Sequence, residues 1–308
     1  MKNNQHNPQF AFSLVEISVV VLIIGILIAG ISKGADLYQD FRLTTARKLT
    51  LNSRVGRIPN LEIWFETTLE NSLASGTTTY TNLAKPAEST PIGRWNDLNP
   101  NIIFNSRNHA TQTNLANQPT YIKNGINNLP SLNFDGSNDH FFYNGNFFIN
   151  SDYTVFVIEE RKSNKDNNFF LCGQEGEADK NIAMGYRLSE SNNTILLGQW
   201  LYDVAKSIPT YSSPVSRMHS FVFSKNIGTP YTGKTIYTNG GGKVQNNNPN
   251  YAIPITSYNG SSIGNIVNLD FYEGYISEII MFSRALNDNE RREIEEYLSQ
   301  KWSIRLEN

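Results

Sequence analysis

Apolar residues run almost without interruption from Phe12 to Ile31, then recur at helical spacing to about Pro59, and beyond it break into short blocks separated by turn residues. The first run holds a single charge, Glu16. About 20 apolar residues at roughly 1.5 Å each cover a hydrocarbon core of about 30 Å, which predicts a transmembrane helix over residues 12–31. A secretory signal peptide has a shorter apolar core with a small-residue cleavage site after it; here the small residue, Ala11, comes before the run. The amphipathic stretch GADLYQDFRLTTARKLTLNSRVGRIP continues the helix to residue 58, where Gly56 and Pro59 supply stop signals. From residue 60 the segments LEIWFE, SLNFDG, DYTVFVIEE, NTILLGQWLY, HSFVFSK, KTIYTNG and YEGYISEIIMF read as strands. Asp135-Gly136, Asn239-Gly240 and Asn259-Gly260 mark turns between them. The last block, RALNDNERREIEEYLSQKW, predicts a helix capped by Asn287 with Glu290 three residues on. Ile294, Tyr297, Leu298 and Trp302 share one of its faces, which should pack on the strands.

A carboxylate inside an apolar span costs several kcal/mol and calls for a partner or a purpose. At these residues, FSLVEISVVVLIIGILIAGI, the chain resembles the class III leader segment of type IV pilins and pseudopilins. The resemblance implies that a prepilin peptidase cuts on the cytoplasmic side between Ala11 and Phe12 and methylates the new amine of Phe12. Ala11 departs from the Gly usual before the cut, which implies slower processing. Glu16 becomes the fifth residue of the mature chain, and in a filament its carboxylate would pair with the N-terminal amine of a neighbouring subunit. The partners implied are other pilin subunits, the peptidase and the inner-membrane assembly machinery. The location implied is the bacterial inner membrane before assembly, then an extracellular pilus or a periplasmic pseudopilus.

The order WFETTLENS, GRWNDLNPN, HATQ, PTY, NGINNLPSLNFDGSND, DYTVFVIEE and EGYISEIIMFSRALNDNERREIEEYLSQKWSI is similar to a laminin-G-like, concanavalin-type jelly roll. The fold expected is therefore mainly β with a long N-terminal α-helix. It consists of a leader at residues 1–11, a pilin-type helix at 12–58, and a β-sandwich head at 60–308 with a short helix near its end. Carbohydrate binding and adhesion are the commonest roles that this second resemblance implies, although fold alone does not settle function.

Within the head, aromatics near strand ends are candidate sugar contacts: Trp200, Tyr202, Tyr211, Tyr231 and Tyr258. Calcium, which wants six to eight hard oxygens, has a candidate loop in Asp135, Asn138 and Asp139, with Asp97 and Asp270 as scattered alternatives. Paired carboxylates for retaining glycoside hydrolysis should stand about 5 to 5.5 Å apart. Glu159 and Glu160 are adjacent in a strand and point to opposite faces, so they cannot share a substrate. Glu278 alternates in phase with Ile276, Ile280 and Phe282, which predicts a buried carboxylate held by hydrogen bonds or by Arg284. The four His residues lack metal spacing on a helix, Cys172 is the one Cys, and no phosphate-binding loop occurs. Lys and Arg number 26 against 28 Asp and Glu, which argues against nucleic-acid binding driven by bulk charge. A basic group of Arg42, Arg47, Lys48, Arg54 and Arg57 reads as a solvated stalk face beside anionic lipid.

The sequence thus predicts a filament subunit, minor or tip-proximal, whose head binds a glycan or a surface protein and is not an enzyme. The alternatives are a pseudopilin of a type II secretion-like system and a pilin-anchored glycan-active enzyme.

Overall fold

A computed structural model describes residues 14–187, 193–226, 233–246, 248–266 and 269–307. The chain divides into two compact units, Met1–Thr44 and Thr45–Asn308. The expected cut site, Ala11 and Phe12, lies outside the described residues, as does Tyr231.

A single helix, α1 (Leu14–Asn52), carries the apolar run. Its side chains from Leu14 to Ile31 are exposed, with Ile31 at 72 %. Contiguous apolar surface of this extent is of the kind that marks membrane or protein contacts in general. Among the described residues this is the one helix long and apolar enough to be a membrane span, a test that a signal sequence also passes. Glu16 sits in its first turn, where the helix dipole favours a negative charge.

The second unit begins with the last residues of α1, where Ala46 and Thr50 are buried and Arg47 donates to the Thr68 carbonyl at 2.7 Å. The helix stops at Asn52, six residues before the expected end. Ser53 N–H turns back to the Thr50 carbonyl at 3.2 Å, and a short 3-10 turn, Val55–Arg57, follows. Gly56 lies so close to Pro100 that an added Cβ would come within 2.5 Å of its Cγ, so the stop is fixed by packing as well as by local preference.

Two open antiparallel sheets share one core. The first runs Gly241–Asn246, Gly233–Thr238, Arg217–Ser224, Tyr153–Arg161, Glu273–Phe282, Ser131–Asp135 and Thr120–Ile122. Leu61–Glu66 pairs with the second half of Glu273–Phe282. The second sheet runs Val204–Ser207, Thr194–Gly198, Ala183–Arg187, Asn168–Cys172, Ser262–Ile263, Phe141–Phe142, Ala110–Thr111, Arg94–Trp95, Leu73–Ser75 and Thr81–Asn82. Alternation along Tyr153–Arg161 shows why the layers form. Tyr153, Val155 and Val157 enter the shared core, whereas Phe156 and Ile158 face the opposite side. That opposite side is covered by α2 (Asp288–Trp302), whose Ile294, Leu298 and Trp302 pack with Trp64, Phe156 and Ile280. The Asn287 side chain accepts from Glu290 N–H, and the Glu290 carboxylate accepts from Asn287 N–H, so the capping box is complete. Asn239 and Gly240 have φ of 50° and 75° between Thr238 and Gly241, the positive pair that a two-residue hairpin requires.

Candidate functional site

Among the described residues of the head, four groupings of polar side chains bear on function. Under α2, Glu66 and Glu278 are register partners on adjacent strands, and Lys301 reaches them at 2.8 and 2.9 Å with all three side chains buried. Trp64 Nε1, Tyr297 OH and Trp302 Nε1 donate to Glu278 at 2.7–2.8 Å. Of the two holders expected for Glu278, the hydrogen bonds are present, whereas Arg284 instead grips Glu290 at 2.6 Å. Burial alone would raise the Glu66 carboxyl, but Lys301 together with the Ser72 and Thr68 hydroxyls outweighs it and holds the group below its ordinary value. Every acceptor here is satisfied from within, which fits a structural lock joining α2 to the sheet.

The second cluster lies inside the core. Glu159 accepts from the hydroxyls of Tyr186 and Tyr272, the latter at 2.6 Å, and His219 Nε2 lies 3.1 Å away. All four side chains are inaccessible to solvent. Burial holds His219 below its ordinary value although Glu159 pulls the other way, so the imidazole is neutral near pH 7. Glu160 points to the other face, as the alternation predicts, and accepts from Ser216 Oγ at 2.6 Å.

The third place is a small cleft of about 170 Å³ on the second sheet, lined by Asn167, Phe169, Arg187, Trp200, Leu269 and Asp270, with Gly176 and Ile266. Trp200 stands 39 % exposed at φ 64° in the turn after Thr194–Gly198. Asp203 fixes that turn by accepting from Gln199 N–H at 2.9 Å, and it ties Arg187 at 3.2 Å. The indole is thereby presented as a platform with a guanidinium, a carboxylate and an amide around it. Sequence reading singled out Trp200 and set Asp270 among scattered metal candidates. It missed Asn167 and Arg187, which only strand pairing brings alongside.

The other aromatic candidates are placed differently. Tyr202 leans on Tyr251 at a centroid distance of 5.5 Å, and Tyr211 lies against Arg161 at 5.5 Å. Tyr258 is 3 % exposed with its hydroxyl 3.2 Å from that of Tyr143, so it is a core residue and not a surface contact. The candidate calcium loop is a self-contained turn. Asp135 Oδ1 accepts from the N–H groups of Ser137 and Asn138, and Asp139 Oδ2 accepts from Asp135 N–H. Burial, with the nearby Asp135 charge, pushes Asp139 up to about 7. Among the described residues no group of three or more His, Cys, Asp or Glu is placed to hold a metal ion. Cys172 is buried and free, with burial pushing its thiol up.

The fourth place is a cleft of about 710 Å³ beside the C-terminal segment. Glu160 and Glu307 both line it, with Ser216, Asn239 and Arg305.

No protein-family model matches the chain, and no curated protein matches it. Solved structures do share its architecture. A Trypanosoma rangeli sialidase with 2,3-difluorosialic acid is 14% identical, with a TM-score of 0.50 over 79% of this chain and 33% of the sialidase. A GH54 α-L-arabinofuranosidase is 12% identical, with a TM-score of 0.53 over 80% of this chain and 64% of the enzyme. An arabinofuranosidase complexed with arabinofuranosyl-α-1,2-xylobiose is 11% identical, with a TM-score of 0.52 over 78% and 62%. This chain therefore spans about a third of the sialidase and under two thirds of the arabinofuranosidases. These likenesses establish a β-rich fold that glycoside hydrolases share, and they correct the expectation that the head is not an enzyme: the architecture is one found in catalysts.

Proposed function

We propose that the chain is a membrane-anchored, pilin-like filament subunit whose β-sandwich head, of the laminin-G-like jelly-roll kind, engages carbohydrate. The observation that carries the carbohydrate reading is the Trp200 cleft. An exposed indole offers a face for a sugar ring, while Arg187, Asn167 and Asp270 offer donors and acceptors for hydroxyls at its rim. Its volume is below the roughly 300–1,000 Å³ of drug-sized pockets, which suits one sugar ring better than a long oligomer. Support also comes from the neighbours, two of which were solved with sugar-type ligands. The anchor reading rests on the exposed apolar face of α1 with Glu16 in its first turn.

A glycan array on the detergent-solubilised chain, with a hydrolysis assay on every hit, tests the head. Trp200→Ala should weaken binding of the best hit about tenfold, in line with the loss of one aromatic platform. A binding profile indifferent to Trp200→Ala would remove the cleft from the account. A second reading, glycan cleavage, is favoured by Glu160 and Glu307 lining one cleft, since hydrolysis needs two carboxylates about the scissile bond. Product release abolished by Glu160→Gln, with binding retained, would establish it. For the anchor, N-terminal mass spectrometry of the chain from a peptidase-competent bacterium should find a methylated Phe12. A mature start at Met1 or beyond Ile31 would discard the pilin reading.

A further inference from the structure

Arg161 is 0 % exposed, and no carboxylate lies within ion-pair distance of it among the described residues. Its Nη1 is 3.4 Å from Asn193 Oδ1, its Nη2 is 3.2 Å from the Pro209 carbonyl, and its Nε has no hydrogen-bond partner. The guanidinium is sandwiched instead between rings, 4.4 Å from Tyr186 and 5.5 Å from Tyr211. Arg217, the register partner of Glu159 on the neighbouring strand and 7 % exposed, donates to the Val215 carbonyl at 3.2 Å and makes no ion pair within 4 Å among the described residues. Among the described residues, the carboxylate that shares this end of the core is Glu159, which is occupied by Tyr186, Tyr272 and His219. Among the described residues two buried guanidinium groups thus share one carboxylate, which lies opposite Arg217 and leaves Arg161 without a counter-ion of its own, and a buried charge without a counter-ion is strongly unfavourable. Ring faces compensate a cation only in part, by about 0.5–2 kcal/mol.

Among the described residues, the pair is covered by Asn193 and by a loop of residues 209–216, whose Pro209, Thr210 and Ser212–Val215 are exposed and which contains no regular structure. The contacts it makes with Arg161 and Arg217 are two carbonyls and one ring, each replaceable by a better acceptor. We propose that Arg161 and Arg217 form an anion-recognition site beneath this loop, taking the carboxylate or sulfate group of an acidic saccharide. The planar fork of a guanidinium matches the two oxygens of a carboxylate, and such charge-assisted pairs are about twice as strong as neutral hydrogen bonds. On entry the anion displaces the Pro209 carbonyl and engages the open Nε, while Tyr211 moves off with the loop. The choice of a saccharide as carrier rests on the carbohydrate reading of the head; the site for the anion does not.

The test uses the full chain in detergent, with trigalacturonate, galactotriose and sodium sulfate as probes, and sodium chloride at matched ionic strength as control. Trigalacturonate should bind about tenfold or more tightly than galactotriose, the value of one charge-assisted hydrogen bond, and sulfate should compete with it and raise the melting temperature where chloride does not. Arg161→Met should abolish the acidic preference and the sulfate effect without lowering the melting temperature of the ligand-free chain, because it removes an uncompensated buried cation. Arg161→Lys, which keeps the charge but loses the fork, should retain part of the preference. Equal binding of acidic and neutral sugars with no sulfate effect, or a preference that survives both Arg161→Met and Arg217→Met, would overturn the site. So would an Arg161→Met chain that melts lower, since the guanidinium would then be structural. Failure of every sugar with a preserved sulfate effect would remove the carbohydrate reading and leave the anion site standing.

Discussion

Lys301 sits between Glu66 and Glu278 with all three side chains buried, so two carboxylates depend on one ammonium and on donors from Trp64, Tyr297 and Trp302. Lys301→Met should cost about 3–5 kcal/mol by leaving buried carboxylates without their cation. Urea denaturation measures this, and a loss below about 1 kcal/mol would mean that water reaches the cluster. Burial of Glu278 was legible from its phase with Ile276 and Ile280. Its partner was not, because Arg284 is near in sequence while Lys301 arrives only when α2 docks. Asp139 gives a pH prediction. Its carboxyl is raised to about 7, so the folded state binds a proton that the unfolded chain releases nearer pH 4. Stability therefore falls as pH rises from about 4 to 7 and is flat beyond. Asp139→Asn keeps an acceptor for Asp135 N–H and removes the charge facing Asp135. It should be neutral at about pH 4 and stabilise by about 1–2 kcal/mol at about pH 8, allowing for partial exposure of the site to solvent. Parallel stability profiles of the two chains would contradict the raised value.

Elements divide by length in how well the sequence announces them. Tyr153–Arg161, Arg217–Ser224 and Glu273–Phe282, of eight to ten residues, alternate long enough to be read, and they build the centre of the first sheet. Half of the second sheet is made of two-residue strands such as Arg94–Trp95 and Phe141–Phe142, too short for any periodicity and defined only by partners far along the chain. The predicted NTILLGQWLY strand ends at Gly198, because Trp200 and Tyr202 take positive φ in the turn that Asp203 closes. That turn creates the Trp200 cleft, so the candidate site arises where alternation fails as a guide. The helix α2 was legible because cap and apolar face agree. Asn287→Ala should cost about 1 kcal/mol, and Leu298→Ala, at a fully buried position, about 2–5 kcal/mol. Thermal melting of both variants checks the ranking, and an equal effect would mean that α2 is held by its end and not by its face.

At the scale of the whole molecule, the unit that contains the sheets begins at Thr45, whereas composition and the Pro59 signal place the start of the head at residue 60. The sequence hides this because residues 45–58 continue the helical pattern of α1 and carry the same charged side chains. Their role changes through packing. Ala46, Val55 and Ile58 are buried with Trp64, Leu129 and Leu286, Arg47 pairs with Glu70 at 2.9 Å, and Thr50 Oγ1 lies 3.3 Å from the Tyr297 hydroxyl. A fragment of residues 60–308 would expose this surface. Val55 and Ile58 alone are worth about 1.5–3 kcal/mol each, an appreciable share of a domain stability of about 5–15 kcal/mol. Removing Thr50 also takes one neighbour from the Tyr297 hydroxyl, which donates to Glu278 beside Lys301. A 45–308 fragment should therefore unfold in one transition, and a 60–308 fragment should do so at a lower denaturant midpoint, by several kcal/mol in all. Equal midpoints would return the boundary to residue 60 and make residues 45–58 a stalk that leans on the head without stabilising it.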